Sequence, residues 1–263
     1  MDRHTVAAIS MSAFVMFWFP CLPAVSASTP EEDLTTSGAV FDGVDEFTDY
    51  PVIANEETVY VEWKQYITGF PDQTFRPENP VTRAQIAAML YRNLYDEDLP
   101  VSTGLPDDVD EHLWYSEAVA FVISEGLMIG NPSGLFLPDS SMTRAEFSTV
   151  IARYRELELS DDDSSFDDVT GHWAEREITA VYQAGIVKGF PSGLFMPDDP
   201  VTRAQSVTMI NRMFNRGPLQ GLTGPSFTDV PSDYWAFDDI EAALRNYLEP
   251  LNGEDLGQTE NTP

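Results

Sequence analysis

The chain has 263 residues, 43% of them hydrophobic and 12% aromatic, which is enough for a real core and unlike a disordered composition. Asp and Glu number 44 against 14 Lys and Arg, a formal net charge of −30 at pH 7. That balance argues against nucleic-acid binding, which needs a basic face, and points to a heavily solvated surface. A saline or alkaline habitat fits the same acidity.

Residues 1–27 have the form of a secretory signal. Arg3 lies in a short polar start, an apolar run extends from Val6 to Phe19, and Val25-Ser26-Ala27 fits the small-residue cleavage rule. The run is short for a spanning helix, and Pro20 and Pro23 close it. Cys21, the only cysteine, falls inside this segment, so the mature chain is expected to carry neither thiol nor disulfide. Residues 28–43 are acidic and rich in Thr and Ser, as a linker is.

One phrase then recurs three times without a gap: GFPDQTFRPENPVTRAQ from Gly69, GNPSGLFLPDSSMTRAE from Gly130 and GFPSGLFMPDDPVTRAQ from Gly189. In every copy 14 positions separate the leading Gly from the Arg. A repeat of this kind means several copies of one supersecondary unit that stack to share a core. The units run over 44–98, 103–157 and 163–217, a partial fourth copy over 225–250, and residues 251–263 form a polar tail.

Each unit opens on an aspartate phrase. Asp168-Val169 and Asp229-Val230 follow Phe166 and Phe227, Asp108-Val109 follows Pro106, and Asp49 lies in the first copy's Phe47-Thr48-Asp49-Tyr50. Trp114, Trp173 and Trp235 come five or six residues later, and core packing is the favoured reading for them. A helical stretch follows, closed by Gly126 and Gly185 where a left-handed residue is wanted. The first copy departs from this pattern: it lacks the Trp and has Gln65 in place of the Gly. Further along, Thr82, Thr143 and Thr202 with Gln85, Glu146 and Gln205 three residues on predict capping boxes. The helices they start carry one apolar face each. The segment between Gly and Pro is expected to be a turn with one buried aromatic.

At these residues the chain resembles the S-layer homology (SLH) domain family, over about 44–250. That likeness implies an all-α fold, a helical pseudo-trimer of helix–loop–helix repeats around a central bundle, with grooves between lobes. It further implies non-covalent attachment to the bacterial cell surface through a secondary cell-wall polysaccharide on peptidoglycan, often carrying pyruvate ketals. Carried over residue by residue, the groove residues are Arg83, Arg144 and Arg203, Asp49, Asp108 and Asp168, and the loop glycines Gly69, Gly130 and Gly189. Gln85 and Gln205 stand where the family has Glu. No cofactor or metal is implied.

The chemistry is coherent. A ketal presents a carboxylate, and an Arg at a helix N-terminus offers a fork of donors beside free backbone N–H groups. The competing reading of each Arg is a salt bridge to the neighbouring opening Asp that only orients lobes. Three equivalent arginines in a chain this poor in basic groups favour the ligand. For the aspartates both readings stay open. A structural S-layer component or an adaptor acting through protein–protein assembly is the alternative function.

An enzyme is not expected. His112 and His172 occupy equivalent repeat positions beside Trp, and no HExxH, GxSxG or phosphate loop occurs. The run Asp161-Asp162-Asp163 with Asp167 and Asp168 lacks the EF-hand's Gly and terminal Glu spacing and fits a solvated linker.

Overall fold

A computed structural model describes residues 60–95, 104–160, 164–222 and 224–250. The linker, Asp49 with the rest of the first opening phrase, Asp161–Asp163 and the tail lie outside them. In chain order the elements are β1 (Tyr60–Trp63), α1 (Arg83–Leu94), α2 (Ser116–Ser124), α3 (Arg144–Tyr154), α4 (Glu175–Gln183), α5 (Arg203–Met213), α6 (Phe237–Ala243) and β2 (Tyr247–Pro250). The chain divides into two compact units. Glu62–Tyr247 holds all six helices; Tyr60, Val61 and residues 248–250 belong to the other. The expectation of helices alone misses one feature, since β1 and β2 pair in a two-stranded sheet.

The odd-numbered helices begin where the TRA phrases place them. Thr82, Thr143 and Thr202 accept the N–H of residue N3, and the side chains of Gln85, Glu146 and Gln205 return the bond to the cap's own N–H. Each Thr cap is worth about 1 kcal/mol. The even-numbered helices lack a side-chain cap. They place acidic residues such as Glu117, Glu175 and Asp238 in the first turn, where the dipole favours them. Gly126 (φ 67°) and Gly185 (φ 73°) close α2 and α4 as expected. The N–H of Leu127 reaches Val122 and that of Ile186 reaches Val181, both completing Schellman motifs. α3 and α5 end the same way without glycine, with Glu156 (φ 48°) and Asn215 (φ 56°) in the left-handed region.

The three TRA segments join head to tail. Val81 donates to the Val201 carbonyl (3.0 Å), Val201 to Met142 (2.9 Å), and Met142 back to Val81 (3.0 Å). All three side chains are buried, as are the turn aromatics Phe75, Phe136 and Phe195. Helices pack in pairs: α2 on α1, α4 on α3 and α6 on α5.

The partial fourth copy therefore serves the first. Asp229 accepts the N–H groups of Phe75 (2.8 Å) and Arg76 (2.7 Å) in the first turn. Asp108 does so for Phe136 and Leu137 (2.8 and 2.7 Å), and Asp168 for Phe195 and Met196 (2.9 and 2.7 Å). Phe227 packs on Phe75 at 5.6 Å, as Phe166 does on Phe195 at 5.4 Å. A Cβ on Gly69 would overlap the Phe227 ring, and one on Gly189 the Phe166 ring. These two glycines are required by close approach rather than by backbone angle. Among the described residues the first copy has no helix ahead of its turn, and α6 occupies that role.

Arg216, which sequence reasoning did not single out, fastens this closure. It is buried, and it donates to the carbonyls of Lys64 (2.9 Å), Ala242 and Arg245 (3.1 Å) and to the Tyr247 hydroxyl (3.2 Å). The rings of Trp63, Tyr66 and Tyr247 lie 5.0–5.4 Å from its guanidinium.

Candidate functional site

Each TRA arginine reaches across to the turn of the next copy. Arg83 Nε donates to the Phe136 carbonyl (2.7 Å) and Nη2 to Ile129 (2.8 Å). Arg144 makes the same pair with Phe195 (2.7 Å) and Lys188 (3.2 Å). Arg203 makes it with Phe75 (2.8 Å) and Thr68 (2.9 Å), which brings the series back to the first copy. Each turn is thus held from two sides, by an Asp on its N–H groups and an Arg on its carbonyls. Neither open reading of the aspartates anticipated this. Asp108 and Asp168 shape the turn through backbone, and among the described residues no ion pair joins them to an arginine. The ion pair that does form is Arg83 with Glu146, at 3.8 Å.

The helix N-termini are not free anion sites. The N–H groups of Arg83 and Ala84 donate to Ser140 and Pro138, those of Arg144 and Ala145 to Asp199 and Pro197, and those of Arg203 and Ala204 to Asn79 and Pro77. With the third N–H taken by the Thr cap, the first turn's donors are spent on joining the copies. Any charge offered to a ligand comes from the guanidinium itself.

Burial pulls the arginine pKa values down, to about 10 for both Arg144 and Arg203. Asp199 and Asp168 partly offset this at Arg144. At Arg203, Arg76 adds to the lowering and Asp229 opposes it. Arg83 is lowered as well, by burial first, with Glu146 and Asp108 opposing. Values of about 10 leave Arg144 and Arg203 charged at neutral pH.

The tryptophans correct the expectation of core packing. Trp114, Trp173 and Trp235 are 64%, 63% and 59% exposed, while the following residues Ala174 and Ala236 are buried. The residue after the Trp enters the core at each helix start, an alanine in two copies and Tyr115 in the second, and the indole is left on the surface. His112 and His172 share an offset from the opening Asp, but His172 directly precedes its Trp whereas His112 lies one residue further from Trp114. His112 is exposed, whereas the His172 ring sits 3.3 Å from Asp198 and accepts the Ala174 N–H. Tyr234 takes that place in the fourth copy, donating to Glu78 (2.6 Å).

Around the turn of the second copy, bordered by Arg83 of the first and Trp173 of the third, the structure has a cavity of about 240 Å³. Arg83, Asn131, Glu146, Arg153 and Trp173 line it, with Gly130 and Leu137 at the turn. Arg153 is one of a second arginine series not picked out from sequence. Arg92, Arg153 and Arg212 donate from the last turns of their helices to Tyr66 (2.9 Å), Leu127 (3.2 Å) and Ile186 (3.2 Å). Their seven-residue spacing from Gln85, Glu146 and Gln205 was the available signal. The pocket thus combines two guanidinium groups, one carboxylate and an exposed indole. Among the described residues no cluster of three or more His, Cys, Asp or Glu is placed to hold a metal. No helix there is long and apolar enough to cross a membrane.

Comparison with known proteins gives the same repeats. The S-layer homology domain family model matches residues 64–87, 107–148 and 165–205. The chain is 36% identical over 207 residues to the cellulosome-anchoring protein of Acetivibrio thermocellus, covering 74% of this chain and 46% of that protein. It is 40% identical over 194 residues to cell surface glycoprotein 1 of the same organism, covering 68% of this chain and 8% of the relative. Against an S-layer protein of Bacillus licheniformis it is 29% identical over 162 residues, covering 60% and 18%. The chain therefore spans less than half the length of these relatives. The first family match begins at residue 64, past the opening phrase that the fourth copy replaces. The chain belongs to the S-layer homology domain proteins of the cell surface.

Proposed function

We propose that the chain is a non-catalytic anchor that holds to the cell surface by binding an acidic secondary cell-wall polysaccharide, probed most simply in its pyruvylated form. In this reading the three copies act as a helical pseudo-trimer, and the grooves between them are the binding sites. Arg83, Arg144 and Arg203 stand at equivalent places to meet a sugar-borne carboxylate. Asp108 and Asp168, with Asp229 in the role assigned to Asp49, hold the turns in position. Gly69, Gly130 and Gly189 let the turns close.

The observation that carries the proposal is the pairing of Arg83 with exposed Trp173 in one pocket. An indole face stacks on a sugar ring while a guanidinium takes its carboxylate in two parallel bonds. Sugar hydroxyls can donate to Glu146. A relative named as a cellulosome-anchoring protein favours a second role, docking of an exported protein, and the two roles are compatible.

The test is a pulldown on native wall sacculi and on sacculi stripped of secondary polymer. Binding is expected to need the polymer and to fall in Trp173→Ala, whose exposed side chain leaves the core intact. Folded protein that ignores the polymer would remove the anchor reading and leave assembly or a protein partner.

A further inference from the structure

The three grooves are equivalent in sequence at their arginines but not in access. The residue after the turn glycine is Phe70 in the first copy, Phe190 in the third and Asn131 in the second. Phe190 lies 4.8 Å from the Arg144 guanidinium, whose other ring neighbour, Phe195, is at 4.3 Å. Phe70 lies 5.1 Å from Arg203, with Phe75 at 4.5 Å. Those two guanidinium groups each have two rings against them, and both arginines are buried. Arg83 has Phe136 at 4.8 Å, and its second neighbour is missing because Asn131 turns away. The Asn131 side-chain oxygen accepts the N–H groups of Ser133 (2.9 Å) and Leu135 (3.0 Å) within its own turn. The space so left belongs to the cavity of about 240 Å³.

We infer that Asn131 is the specificity-determining residue that opens the Arg83 groove to an anionic saccharide, and that Phe70 and Phe190 close the other two. This rests on the anchor reading and adds to it a stoichiometry of one acidic sugar per chain. The volume agrees, being below the roughly 300–1,000 Å³ of pockets that hold drug-sized ligands and suited to a single ring rather than a run of them. The pocket brings two guanidinium groups, Arg83 and Arg153, together on a chain of net charge −30, with Glu146 in the lining and Asp108 close enough to act on Arg83. Glu146 then has a reason to differ from Gln85 and Gln205. Where a ligand enters, a carboxylate both orients Arg83 and accepts sugar hydroxyls.

The experiment is calorimetric titration of the protein with a purified wall-polysaccharide fragment bearing one pyruvate ketal, and with the same fragment after removal of the ketal. Wild type, Asn131→Phe and Phe190→Asn are compared, each checked for an unchanged melting temperature. Phenylalanine is tolerated at this turn position in the other copies. Ser133 matches Ser192, which takes the N–H of Leu194 there, so the turn keeps a cap. Wild type is expected to bind one equivalent, Asn131→Phe to lose at least tenfold in affinity, and Phe190→Asn to bind a second equivalent. A gained site is not an outcome that misfolding produces. Three sites in wild type, or Asn131→Phe and Phe190→Asn both titrating as wild type does, would overturn the inference while leaving the anchor reading in place. No binding by wild type to either fragment overturns both, and equal binding of both fragments overturns the anionic part.

Discussion

Replacing Asp229 by alanine tests whether the end of the chain completes its first repeat. The carboxylate accepts two backbone N–H groups, from Phe75 at 2.8 Å and Arg76 at 2.7 Å. Hydrogen bonds to a charged group are worth about 1.5–3 kcal/mol each. The Arg76 N–H is exposed and water can replace its partner, so that bond counts for less. The Phe75 N–H is half-buried above a wholly buried ring and stays largely unpaired. Together the loss is about 2–3 kcal/mol. For a unit of this size each kcal/mol lowers the melting point by about 2–4 °C, so Asp229→Ala should melt roughly 5–10 °C below wild type. Asp229→Asn keeps one acceptor and should fall between them. Asp233→Ala, four residues on and exposed, is the control and should change stability by less than about 0.5 kcal/mol. The assay is thermal unfolding by circular dichroism, with amide exchange at Phe75 and Arg76 as the local readout. If Asp229→Ala melts with Asp233→Ala and those amides stay protected, the partial copy is an appendage and the closure argument fails.

Arg144→Ala should destabilise more than Arg83→Ala, by about 1 kcal/mol. It strips a buried cation from two carbonyls, at about 3 kcal/mol or more by chemical denaturation, whereas Arg83 is only partly buried and borders a cavity that water can fill. Equal losses would mean that the two clamps are energetically alike. Glu156→Gly should stabilise by about 0.5–1 kcal/mol, because the exposed Glu156 holds φ at 48° where glycine has no Cβ penalty; a lower melting point would show that the α3 terminus is held by contacts instead. Wall-polymer affinity should weaken as salt is removed, since the net charge of −30 repels an acidic polymer once screening beyond about 8 Å is lost. Affinity that rises at low salt would show local pairing outweighing that field.

Helix starts were legible because capping chemistry is local: a Thr and a Gln or Glu three residues apart need no knowledge of the rest of the chain. The buried turn aromatics followed from the repeat. What the sequence could not reveal was which partners were backbone. The carbonyls of Phe136, Phe195 and Phe75 have no side-chain signature, so an Arg that bonds them looks like an Arg awaiting a carboxylate. The same holds for Asp108, Asp168 and Asp229, whose partners are N–H groups. The tryptophans were misplaced for a different reason. A large aromatic beside an alanine at a helix start gives no hint of which enters the core, and here buried Ala174 and Ala236 take that place.

The shared use of each arginine has a consequence for how such a domain tolerates change. The Nε and one Nη of Arg144 and Arg203 are committed to the turn of the next copy, so these residues are needed for folding whether or not a ligand arrives. Recognition must then be tuned at positions the clamp does not use. The residue after the turn glycine is such a position, as are the capping Gln or Glu, the arginine seven residues beyond it and the exposed indole. None of the four contributes a bond to the ring of Val81, Met142 and Val201. One fold can in this way carry three arginines at equivalent places and still offer grooves of different depth and charge. Loss of binding on removing Arg144 is therefore evidence about the ring. Loss of binding on changing Asn131 or Trp173 is evidence about the ligand.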